Sequence, residues 1–273
     1  MNTFPVGIFD SGVGGLTAMR AVMRLLPGEE IVYFGDTARV PYGTRDTATI
    51  LRYSREDLHF VLSRGVKAVL VACGTVSTVA LPTLKTESPV PICGIVEASA
   101  AAAAAATRNG KVAVLGTRAT IRSGCFSQVL QRLSPGLEVT GVPCPMFVPL
   151  VENGYIQPDN PVTELLVKEY LAPVIASGAD TVILGCTHFP LLKAAIGKWI
   201  PEVTLIDSGR EGARALAALL EENSLLSPRE STCAHRYYVS GSPEDFSSIA
   251  AIFLGERFDG CVSAISHREL RLP

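Results

Sequence analysis

The chain has almost no net charge, 24 basic against 26 acidic residues in 273, a formal −2. That balance excludes the broad cationic face that nucleic acid or an anionic membrane demands. No apolar run reaches the ~18 residues of a spanning helix. The N-terminus, MNTFPVGIFD, has no cationic start and meets Asp10 before a signal-like apolar stretch can develop. A cytoplasmic protein with no membrane or nucleic-acid partner is expected. No CxxC occurs. The seven cysteines, at 73, 93, 125, 144, 186, 233 and 261, are odd in number and widely scattered. Their spacing suggests neither a zinc framework nor a disulfide scaffold. Residues 93, 125, 144, 233 and 261 read as small buried hydrophobes. No lysine stands in a recognisable pyridoxal-phosphate setting, which disfavours Schiff-base chemistry, and no cofactor is expected.

What the chain does have is alternation. Apolar residues make up 48% of it, enough for two modest lobes each with a core. Short apolar runs near 6–10, 31–34, 68–72, 92–96, 112–115, 138–142, 181–184, 203–207 and 236–240 read as strands, separated by amphipathic helices. Leu16, Met19, Val22, Met23 and Leu26 form one such helical stripe; Ile50, Leu51, Ser54, Leu58, Val61 and Leu62 form another. Residues 100–106 are all alanine and read as a tightly packed helix that stops at Asn109-Gly110. KVAVLGTRATIRSG then restarts a strand, turn and helix much as PVGIFDSGVGGLTA does at the start. The expected fold is α/β, two similar lobes, each a mostly parallel sheet flanked by helices, with the active site in the cleft between them. The expected lobes are 1–97 plus 208–273, and 98–207. A homodimer is compatible with the sequence but not specified by it.

Two segments carry the functional signal. SRGVKAVLVACGT and ASGADTVILGCTH superpose at one constant offset, pairing Gly65 with Gly178, Val69 with Val182, Leu70 with Ile183 and Cys73 with Cys186. Each reads as a buried parallel strand ending in a thiol. In open α/β sheets ligands bind at the carboxyl ends of strands, so two matched halves put two thiols across one cleft. Such a pair can take a proton from one face of a small molecule and return another to the opposite face. Helix N-termini near both thiols are expected to lower their pKa and favour thiolate.

Other motifs supply polar groups. DSGVGG, residues 10–15, lacks the third glycine of a dinucleotide fingerprint, but its turn offers N–H groups to a carboxylate. Asp10 is either a turn residue or a group that orients a thiol. GDTARVPYG, residues 35–43, reads as a shaped βα loop with backbone contacts from Tyr42 and Gly43 to the ligand. Glu152 in PLVENG, Thr117 and Thr120 in GTRAT, and His188 complete the set. Thr120 alternatively caps the following helix, and a zinc site of Cys73, Cys186 and His188 stays open without spacing support.

Taken in order, DSGVGG, GDTARVPYG, the VACxT segment around Cys73, GTRATIRSG, LVENG, GCTHFPLL around Cys186 and IDSG at 206–209 resemble the glutamate racemases of cell-wall synthesis, over nearly the whole chain. The resemblance implies cofactor-independent racemisation of a small-molecule substrate, glutamate. It implies that Cys73 deprotonates D-glutamate and Cys186 L-glutamate, with Asp10, Glu152 and His188 assisting. Binding falls to Asp10, Ser11, Pro41, Tyr42, Gly43, Gly74, Thr75, Thr117, Thr120, Thr187 and His188. Gly74 departs from the asparagine usual in that family, which bears on substrate and tightness of binding. The alternatives are an aspartate racemase or related two-cysteine racemase, a one-thiol enzyme acting on malonate-like acids, and a non-catalytic two-lobed acid-binding protein.

Overall fold

The computed structural model describes residues 2–231, 235–255 and 257–270, so Cys233 lies outside the described residues. Among these, the strands in chain order are β1 (Val6–Asp10), β2 (Ile31–Gly35), β3 (Ala68–Val71), β4 (Ile92–Gly94), β5 (Lys111–Gly116), β6 (Glu138–Pro143), β7 (Thr181–Leu184), β8 (Thr204–Asp207), β9 (Arg236–Val239) and β10 (Val262–Ala264). They form two sheets, ordered β10-β9-β2-β1-β3-β4 and β6-β5-β7-β8. Every pairing is parallel. Strands β1, β2, β3 and β7 are buried along their whole length, as helices on both faces require. That is why they read as continuous apolar runs.

Register brings the strand ends level. Asp10 pairs with Gly35, Phe9 with Val71, and Val71 with Gly94. In the second sheet Leu184 pairs with both Leu115 and Asp207. Each thiol-bearing residue stands two places past the last residue of its strand.

Besides a cluster of its own, around Phe9, Phe34 and Val69 in the first and Val114, Leu130 and Ile183 in the second, each sheet shares a core with the other. One buried apolar cluster runs from Ile8, Leu16 and Leu70 to Leu184, Phe189 and Ile196. The helix Ser208–Glu222, capped by the Asp207 carboxylate on the N–H groups of Gly209 and Arg210, packs on both the helix Leu16–Leu25 and the helix Val96–Ala106. The last of these runs unbroken across the 97/98 division expected from sequence, and its strand partner stops at Gly94 rather than at 96. A Cβ on Gly94 would stand 2.5 Å from Leu81 and 2.7 Å from Ser77, so the close packing of those side chains on the strand end needs glycine there. The edge strand β10 has exposed residues and only a half-buried Val262, which gives no apolar run to read. Among the described residues, no helix is long and apolar enough to cross a membrane.

Candidate active site

Three glycines let the turns of the two sheets meet. A Cβ on Gly14 would stand 2.3 Å from Thr187 Oγ1 and 2.5 Å from the His188 ring, one on Gly74 2.1 Å from the Gly185 carbonyl oxygen, and one on Gly43 2.7 Å from Thr117 Cβ. Such separations are impossible for any side chain without movement of one wall. Across the same seam the Thr17 hydroxyl donates to the Thr187 carbonyl at 2.8 Å. The glycine-rich turn thus sets the approach of the two halves, and its Gly12 N–H is spent on the Asp10 carboxylate rather than left for a ligand.

Between the turns lies a cavity of about 350 Å³, the size of a small-molecule site. Cys73, two residues past β3 and at the N-cap of the helix Gly74–Val79, and Cys186, two residues past β7, both line it. Ser11 Oγ is 3.3 Å from Cys73 Sγ. On the other wall, His188 Nδ1 is 3.8 Å from Cys186 Sγ, and His188 Nε2 is 2.9 Å from Glu152 Oε1. The Glu152 side chain is 33% exposed, so this chain of groups leads from the sulfur to solvent.

The electrostatics differ between the walls. Burial, reinforced by the Asp10 carboxylate, pushes the Cys73 thiol up to about 12, against the opposing pull of Ser11 and the Val76 N–H. The helix N-terminus behind Cys73 therefore does not lower its pKa as expected, because desolvation of the sulfur outweighs a partial dipole charge. Cys186 has no α-helix start behind it; a 3₁₀ turn, Phe189–Leu192, follows instead. Burial alone would lower His188, yet its bonds to Cys186 and Glu152 raise it to about 10, leaving an imidazolium beside that sulfur at neutral pH. Burial also raises Asp10, opposed by the charge of His188 and the amides of Gly12 and Gly15.

Of the residues singled out in the sequence, Cys73, Cys186, Ser11, Pro41, Tyr42, Gly43, Gly74, Thr75, Thr117, Glu152, Thr187 and His188 line the cavity. Asp10 does not. It sits buried behind the lining, accepting from the Gly12 N–H at 2.9 Å and facing the Thr187 hydroxyl at 3.4 Å; the group that touches Cys73 is its neighbour Ser11. Thr120 is also out of the lining. Thr117, not Thr120, caps the helix Arg118–Arg122, and hydroxyls run Thr75, Thr117, Thr120 at 3.0 Å steps across the seam. The Tyr42 hydroxyl turns away from the cavity to Asp36 and Asp57.

Sequence reasoning missed Gly12, Val40, Thr44, Arg118, Cys144, Pro145, Val148 and Pro149 in the lining. Cys144 is buried as expected but borders the cavity, Cys93 and Cys125 are only half-buried, and Cys261 is exposed rather than buried. Cys144 had no duplicate to distinguish it, whereas Arg118 stood inside a motif already noted. Among the described residues no group of three or more His, Cys, Asp and Glu side chains is placed to hold a metal ion, so the zinc set is not assembled.

Two parallel sheets meet here at thiol-bearing turns, and the chain is an amino-acid racemase that belongs to the Asp/Glu/Hydantoin racemase family, whose model matches residues 14–216. Within it the similarity is to glutamate racemases. The enzyme from Geobacter metallireducens is 46% identical over 92% of each chain. A crystal structure of glutamate racemase from Thermus thermophilus in complex with beta-chloro-D-alanine superposes with a TM-score of 0.87 at 44% identity over 98% of both chains. That of the Francisella tularensis glutamate racemase in complex with D-glutamate gives 0.90 at 34% identity, covering 97% of this chain and 98% of that one.

Proposed function

We propose that this chain interconverts L- and D-glutamate without a cofactor, moving the α-proton between Cys73 and Cys186. One observation above all supports this reading: the two sulfurs line one cavity from different sheets, each with its own polar partners.

Starting from L-glutamate, Cys186 is the base. The imidazolium of His188 stands beside its sulfur, while burial keeps Cys73 a thiol. Cys186 removes the α-proton, and Cys73 gives its proton to the opposite face of the flattened carbanion. The enzyme leaves this turnover with Cys73 as thiolate and Cys186 as thiol, the form that accepts D-glutamate. Each unit of pKa mismatch between carbon acid and thiol costs about 1.4 kcal/mol. Donors aimed at the α-carboxylate, where charge develops, narrow that gap; Ser11, Thr75 and Thr187 are the candidates. Holding Cα in reach of both sulfurs supplies much of the remainder. Glu152 relays protons between His188 and solvent, and Asp10 holds the Ser11–Gly12 turn. The product is D-glutamate for peptidoglycan, made in the cytoplasm.

A chiral assay of glutamate and aspartate tests the substrate. Glutamate is expected to turn over faster by at least tenfold; faster turnover of aspartate would overturn the assignment.

A further inference from the structure

Behind the cavity wall lies a buried polar group that the reaction does not use. Asp36 and Asp57 are fully buried, and Tyr42 is 1% exposed. The Tyr42 hydroxyl lies 2.9 Å from Asp57 Oδ2 and also hydrogen-bonds Asp36. Arg39 joins the same two carboxylates, Nε to Asp36 Oδ2 at 2.6 Å and Nη2 to Asp57 Oδ1 at 2.8 Å, and also bonds Glu56. Its guanidinium lies over the Tyr53 ring, 4.2 Å from the centroid. From the other end of the chain, the Ser240 hydroxyl donates to Asp36 Oδ1 at 2.7 Å and accepts from the Ala38 N–H at 2.9 Å; the Gly241 N–H donates to Thr37 Oγ1 at 2.9 Å.

The one polar side-chain atom of Tyr42 is engaged behind the wall, while Pro41, Tyr42, Gly43 and Thr44 line the cavity. We infer that Asp36, Arg39 and Asp57 are positioning residues for the racemisation, acting through Tyr42 to seat this turn against the substrate, with Ser240 fastening the seat to the C-terminal segment. This rests on the racemase reading given above. The turn also reaches the other half: Gly43 abuts Thr117, and Arg122 donates to the Arg45 carbonyl at 3.3 Å.

Proton counting sharpens the test. One hydroxyl proton cannot serve two carboxylates, so the second contact needs a proton from a carboxylic acid. Asp36 already receives donors from Arg39, Ser240 and Tyr42, which leaves Asp57 as the acid that donates to the Tyr42 oxygen. Burial and the neighbouring Asp36 raise Asp57 well above the usual carboxylate range, in the same sense. Asparagine at 57 reproduces that acid, its oxygen accepting from Arg39 and its amide donating to Tyr42. Asp36→Asn turns an amide toward Arg39, Ser240 and Tyr42, the groups that donate to the carboxylate in this arrangement.

Steady-state kinetics on both enantiomers, unfolding midpoints and hydrogen exchange of segments 36–45 and 237–242 test this on the full chain. Asp57→Asn is expected to keep KM within threefold of wild type. Asp36→Asn and Arg39→Ala are expected to raise KM tenfold or more with kcat within threefold and faster exchange in both segments, and Arg39→Lys to recover part of the loss. Unchanged KM in Asp36→Asn or Arg39→Ala, a KM rise in Asp57→Asn equal to that in Asp36→Asn, or losses that follow the unfolding midpoint alone would overturn it. Should those variants fail to fold, Ser240→Ala decides: a threefold rise in KM with faster exchange at 36–45 supports the seat, and no change in either overturns it. A wild-type chain inactive on glutamate would sink the racemase reading, while the exchange data would still judge the seat.

Discussion

At the scale of single residues, the seam between the thiol-bearing turns depends on atoms that are not there. Gly74 faces the Gly185 carbonyl so closely that a methyl group would sit 2.1 Å from it. Gly74→Ala is therefore expected to push the turns that carry Cys73 and Cys186 apart and to lower kcat/KM by at least tenfold in steady-state assays; an unaltered value would mean that the seam yields freely. His188 supplies a pH signature. Its folded pKa, about 10, stands above the ordinary 6.5, so its stabilisation is complete below about pH 6.5 and is lost as pH rises through about 10. Cys73, raised from 9.0 to about 12, acts in the same direction at higher pH. The thermal midpoint should fall between pH 7 and 10, and His188→Asn should flatten that fall; a midpoint rising over this range would contradict the assignment. That Cys73 and Cys186 would line one cavity was legible because duplication marked them. Cys144 and the inward-turned hydroxyl of Tyr42 were not, since a lone cysteine and a tyrosine in a turn look the same whichever way they point.

At the scale of elements, buried parallel strands are the most legible feature, because two covered faces leave only apolar residues along the run. All nine expected strands form. The tenth, β10, is an edge strand with too little burial to mark its sequence. The helix Val96–Ala106 was legible as a helix, but its start was read into the preceding strand because Ile95 and Val96 are buried in either conformation. The helix Ser208–Glu222, which ties both halves together, begins on the Asp207 cap, with bonds of 3.0 and 3.2 Å to two N–H groups. Asp207→Ala is expected to cost about 1 kcal/mol of stability, read as a lower urea midpoint with unchanged slope; no change in midpoint would remove the cap from the list of stabilising contacts.

At the scale of the whole molecule, the repeat in the sequence announced two halves, and sheet membership divides as β1–β4 with β9 and β10 against β5–β8. What the repeat could not convey is that the halves share a core: Leu16 and Met19 belong to the same buried cluster as Leu184 and Phe189. Long-range packing of this kind leaves no periodic trace in either segment. A shared core predicts one cooperative unfolding transition seen alike by fluorescence and circular dichroism, and two separated transitions would contradict it. The same packing underlies the turns that bring both thiols to one cavity, and the proposed function needs those thiols opposed across it. Racemisation followed in deuterium oxide, from each enantiomer separately, tests that opposition most directly. Proton transfer by two opposed thiols predicts that the first product formed in either direction carries solvent deuterium at Cα while unconverted substrate keeps its protium; product that retains the substrate's own α-proton would contradict it.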